Sequence, residues 1–78
     1  MQEVYLIISN NEKRSKVHGV CTKEAAVEHY NLMCSYKPVG WIREEVKPFM
    51  TDFYSLEDDG NKKFQERIFI EKMYVVGS

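Results

Sequence analysis

Residues 66–76, Glu-Arg-Ile-Phe-Ile-Glu-Lys-Met-Tyr-Val-Val (ERIFIEKMYVV), decide how this chain folds. The run is rich in β-branched and aromatic side chains, so it reads as a strand. Successive strand residues point to opposite faces of a sheet. One face then carries Ile68, Ile70, Tyr74 and Val76, and the other carries Phe69, Met73 and Val75. Both faces are apolar, and a short chain has little material with which to cover two of them.

Residues 3–9 (EVYLIIS) behave the same way, with Val4, Leu6 and Ile8 on one side and Tyr5 and Ile7 on the other. Strands that are apolar on both faces belong in the middle of a sheet. Asn10 and Asn11 begin a charged turn, after which residues 16–21 (KVHGVC) return as an antiparallel partner. Gly19, in mid-strand, marks a bulge or a close approach by the helix.

The helix is the clearest local signal. Thr22 is an N-cap, Glu24 lies in the first turn where the helix dipole favours an anion, and Ala25 and Ala26 are strong helix formers. Ala26, Val27, Tyr30, Met33 and Cys34 share one stripe, which predicts a helix over residues 22–35 with those five facing the core. Pro38 and Gly40 end it. Residues 41–49 (WIREEVKPF) read as a third strand that ends, bulges or lies at an edge at Pro48. Residues 53–76 form a second hairpin turned by Asp59-Gly60. The expectation is one α+β domain over residues 1–78, ordered β-β-α-β-β-β, with an antiparallel-rich sheet and a single helix on one face.

Composition narrows the function classes. The chain has 78 residues, is 44% hydrophobic, and carries one Trp, five Tyr and four Phe. Such a chain offsets its ordering entropy by burial, which excludes a disordered protein. A formal net charge of −1 is far from the bias of a strongly basic nucleic-acid binder or an acidic DNA mimic. No apolar run is long enough to span a membrane, and the acidic start is unlike a secretory signal. With two cysteines only, the expected setting is the cytoplasm, with reduced thiols.

No constellation of catalytic groups converges, so an enzyme is not expected, nor is a cofactor. His18 and Cys21 should point to opposite faces of their strand, and His29 and Cys34 lie about 140° apart on a helix, which argues against a metal site. Cys34, near the helix C-terminus, reads as a structural thiol rather than a nucleophile. Glu44-Glu45 and Asp58-Asp59 read as a solvated strand and a turn rather than acid/base pairs. Gly19, Gly40, Gly60 and Gly77 are isolated, so there is no phosphate loop.

Two binding readings remain. If the helix covers the face of Leu6, Ile68 and Ile70, then Tyr5, Ile7, Phe69 and Met73, with Trp41 beside them, form an exposed surface for a protein partner or a second copy. The alternative is an RNA or single-stranded nucleic-acid binder using sheet aromatics and the basic loop residues Lys13, Arg14, Lys16, Lys62 and Lys63.

The segments EVYLIIS, GVCTKEAAVEHY, WIREE and RIFIEKMYV together resemble a loose group of small uncharacterised proteins from phages and mobile elements. These share a V-Y strand, a G-V-x-T-x-E-A helix start and a closing strand of W-x-I-E-E type; Cys21 replaces a commoner aromatic. The resemblance implies a cytosolic accessory protein that binds and modulates a host protein. It implies no catalytic residues.

Overall fold

The computed structural model describes residues 2–76; Gly77 lies outside them. The order is β1 (Gln2–Asn10), β2 (Ser15–Cys21), α1 (Lys23–Ser35), β3 (Ile42–Lys47), β4 (Met50–Leu56) and β5 (Lys62–Val75). The expected α+β succession is therefore present. All strand pairs are antiparallel in one sheet ordered β2-β1-β5-β4-β3. The two strands that are apolar on both faces, β1 and β5, are indeed interior.

Local chemistry sets each boundary. The Asn11 side chain accepts from the amides of Lys13 (2.8 Å) and Arg14 (3.0 Å), which closes the β1–β2 turn. Thr22 caps α1 by accepting from the Ala25 amide at 3.3 Å. Pro48-Phe49 make a tight β3–β4 turn in which Phe49 takes φ 62°. A type II turn requires positive φ at the second central position and favours Pro at the first, which Phe49 and Pro48 supply. Strand β4 consequently starts at Met50, before the Phe53 that sequence pattern indicated. Gly60 (φ 87°) supplies the left-handed residue of the β4–β5 turn.

The helix buries Ala26, Tyr30 and Cys34 against Ile7, Phe53 and Ile68. Met33, expected in the core, is only partly buried at the edge of this cluster, because Ala26, Tyr30 and Cys34 form the central line of the stripe. The Tyr30 hydroxyl meets Thr51 Oγ1 at 2.5 Å within the core. Thr51→Val would leave that hydroxyl without its oxygen partner, at a cost of about 1 kcal/mol. The Tyr30→Phe/Thr51→Val double variant should recover most of that loss in urea denaturation, since no orphaned polar group remains.

Candidate interaction surface

The register between β1 and β5 determines what the helix leaves uncovered. Ile7 lies opposite Ile70, Ser9 opposite Ile68, Ile8 opposite Phe69 and Val4 opposite Met73. Cross-strand partners share a face, so odd-numbered β1 residues join even-numbered β5 residues. The helix therefore covers Tyr5, Ile7 and Ser9 together with Ile68 and Ile70. The expectation for β5 holds: Ile68 and Ile70 lie under the helix, while Phe69 and Met73 stand on the free face.

The expectation for β1 is inverted. Ile7 is completely buried, Tyr5 packs at the margin of the helix-side core, and Leu6 faces the other way. A shift of one residue in register moves every side chain to the opposite face, and β1 is apolar on both. Trp41 also belongs to the helix side, packed against the core with its ring 6.4 Å from that of Phe53. Tyr5, Ile7 and Trp41 are thus core and core-margin residues, not members of the free surface.

The helix-free face divides into two chemically distinct halves. Over β3, β4 and the first half of β5 it is polar and internally paired. Arg67 binds Asp52 in a two-point ion pair (2.6 and 3.0 Å). Lys62 pairs with Glu44 and lies over the Tyr54 ring, which meets Phe64 edge-on. Asn10, opposite Arg67, carries a buried Oδ1 with no protein partner among the described residues.

Over β2, β1 and the second half of β5 the same face is mostly apolar, with Glu71 standing opposite Leu6. Val20 stands opposite Leu6, Val17 opposite Ile8, Ile8 opposite Phe69, and Val4 opposite Met73. Val20 is 62% exposed, Val17 50% and Met73 48%; Leu6 and Phe69 are half-buried between them. Sequence reasoning missed Val4, Leu6, Ile8, Val17 and Val20. Their signal was present, since they are the more apolar side of β1 and the valines of the strand beside it.

The register shift at Ile7/Ile8, opposite Gly19 and Val17, inserts one extra residue into β2. The bulge turns His18 to the helix side, where its Nε2 lies 2.7 Å from Ser9 Oγ and its ring 6.4 Å from that of His29. Cys21 packs against the core on that same side. The expectation that His18 and Cys21 point to opposite faces is therefore overturned by one residue of bulge. No group of three His, Cys, Asp or Glu side chains arranged to hold a metal occurs among the described residues. Gly19 permits the crowding: a Cβ there would sit 3.6 Å from Ile7 and 3.9 Å from the His29 ring.

Burial lowers the pKa of His18, with Lys16 and His29 adding like-charge repulsion. The neutral form is favoured in the folded state, so the unfolded chain binds a proton first as pH falls. The resulting stability is complete above about pH 6.5 and declines as pH drops below that value. Urea midpoints at pH 7.5 and 5.5 should therefore fall further in the wild type than in His18→Gln. Burial likewise raises the Cys34 thiol, as expected of a structural cysteine.

The basic loop residues are partly brought together. Lys13 and Lys63 line one open depression of about 220 Å³ with Asn11, Glu12, Phe64 and Gln65. Lys62 is committed to Glu44, and Arg14 and Lys16 are exposed outside the depression. No helix among the described residues is long and apolar enough to cross a membrane. Comparison of the chain with known protein families, with curated proteins and with solved structures returns no match.

Proposed function

We propose that this protein is a non-enzymatic interaction module whose helix-free sheet face binds another protein. One observation carries the reading: the helix covers the less apolar face of β1 (Tyr5, Ile7, Ser9) and leaves Val4 and Leu6 only half-buried on the other, with Ile8 buried beside them. With Val17, Val20, Phe69 and Met73 these make a largely apolar patch that holds one acid, Glu71 opposite Leu6, and adjoins the Arg67–Asp52 pair; aromatic and methionine side chains of this kind are enriched at recognition surfaces. Phe69 and Met73 keep the contact role assigned to them from sequence. The resemblance to phage and mobile-element proteins is in keeping with an accessory protein that modulates a host protein by occupying its surface.

Affinity capture with immobilised wild-type protein, followed by titration of each purified candidate, tests this. Phe69→Ser should stay folded, since Phe69 lies outside the core, and should weaken binding about thirtyfold or more, the loss typical of a central aromatic anchor. Unchanged affinity in Phe69→Ser and in Leu6→Ser would reject this face.

The depression formed by Lys13, Lys63 and Phe64 supports the nucleic-acid alternative, since it joins two cations to an aromatic ring. Titration of labelled single-stranded RNA and DNA at low salt separates the readings. Micromolar binding that weakens steeply with salt and disappears in Lys13→Ala/Lys63→Ala would favour the alternative.

A further inference from the structure

Strand β5 is longer than its neighbour on one side. Strand β4 accompanies it from Lys62 to Phe69, and the last main-chain link on that edge is the Ile70 amide donating to the Phe49 carbonyl at 3.0 Å. Beyond it, Glu71–Val75 remain paired with β1 on the other edge but meet no strand on this one among the described residues. Main-chain groups alternate between the edges of a strand. Lys72 and Tyr74 therefore direct their N–H and carbonyl groups outward, as Ile70 does.

The two outermost strands are blunted, although Gln2–Val4 of β1 also extend beyond the end of β2. Strand β3 carries Arg43, Glu44, Glu45 and Lys47, and β2 is bent by its bulge. The β5 edge carries no bulge, and its charged residues are Glu71 and Lys72. Its cation, Lys72, is folded back along its own ribbon, 3.3 Å from Glu3 and 5.2 Å from the Tyr74 ring centroid.

We infer that this edge pairs antiparallel with the same edge of a second copy of the chain, about a two-fold axis at Met73, joining two sheets into one. Self-complementarity selects both the partner and the register. Pairing centred on Lys72 would set two ammonium groups directly opposite each other, which is destabilising. Pairing centred on Tyr74 would place Lys72 opposite Val76 and so forgo a cation–ring contact between the copies. Centred on Met73, Glu71 of each copy faces Val75 of the other and Lys72 faces Tyr74, so the outward N–H and carbonyl groups of Lys72 and Tyr74 gain partners. The cation–ring contact already present within one chain is then repeated between chains. Met73 meets Met73 of the second copy on the helix-free side, which joins the two apolar patches. The dimer does not require that patch to bind anything else.

Sedimentation equilibrium of the full chain tests this, and a concentration-dependent dimer is expected. Tyr74→Pro deletes an outward N–H without removing a β1–β5 ladder bond, so the circular dichroism spectrum should be unchanged. It removes two hydrogen bonds per dimer and should weaken dimerisation about thirtyfold. Phe69→Ser should leave the dimer intact, which separates the edge from the face. Independently, Met73→Cys in a Cys21→Ser background should oxidise to a single covalent dimer, since opposed residues of a non-hydrogen-bonded pair lie about 4.5 Å apart at Cα. Val75→Cys in that background should not cross-link. A chain monomeric at every concentration, or a dimer that survives Tyr74→Pro with Val75→Cys cross-linking as readily as Met73→Cys, would overturn the inference.

Discussion

Ile7→Ser should unfold the protein, whereas Leu6→Ser, one residue away, should leave it folded. Ile7 is fully buried between the helix and the sheet, touching the line of Ala26, Tyr30 and Ile68. Truncating such a side chain costs about 2–5 kcal/mol through lost burial and the cavity left behind. The serine hydroxyl adds a further penalty, because its surroundings are apolar and desolvate it. A domain of this size has of order 4–12 kcal/mol in total, so the loss removes most or all of its stability. Leu6, half-buried on the uncovered face beside Val20, gives up much less and gains a solvated hydroxyl. Circular dichroism with urea titration distinguishes the two variants. The reverse order, Leu6→Ser unfolded and Ile7→Ser native, would show that the helix sits on the other face. It would also remove the physical basis of the proposed interaction surface.

The second large effect concerns the ion pair that closes the polar half of the same face. Asp52 is 6% exposed, whereas the side chain of Arg67 is 38% exposed. The two ends of the pair therefore differ in what remains when the other is deleted. Arg67→Ala leaves the buried carboxylate without its counter-charge, and because the half-exposed arginine no longer shields it from water the loss is about 2–3 kcal/mol. Asp52→Ala leaves a guanidinium that water already reaches, for a loss of about 1–2 kcal/mol. Chemical denaturation of both variants at pH 7 measures the asymmetry. Equal losses would mean that Asp52 is solvated in the folded protein and that the polar half of the face is looser than its geometry shows. The distinction matters for the proposed binding, because a rigid, ion-paired polar half would confine recognition to the apolar half.

Much of this architecture was legible in the chain itself. The N-cap Thr22, the first-turn Glu24 and the stripe through Ala26, Tyr30 and Cys34 define α1, and the structure places the helix within one residue of the expected start. Asp59-Gly60 defines the last hairpin because only a positive φ closes it there. The division of β5 into an Ile68/Ile70 face and a Phe69/Met73 face follows from alternation alone. These features rest on local chemistry, which reads the same before and after folding.

What the sequence left open was the sign of each choice that both options could satisfy. Strand β1 alternates between two apolar sets, so its periodicity says that it is a strand without saying which set is inside. Only the pairing of Ile7 with Ile70 settles that, and pairing is a property of two segments about sixty residues apart in the chain. Trp41 follows the same logic: whether it joins a core or a surface depends on where the loop after the helix lies over Phe53. The bulge opposite Ile7 and Ile8 reverses His18 relative to Cys21, a change of face that residue counting on a regular strand does not foresee. Composition and local propensity thus determined which segments become helix and strand. Register, bulge and helix placement decided which of two apolar faces the protein keeps for itself and which it leaves open, because those depend on long-range pairing of backbone groups that are chemically alike all along the chain.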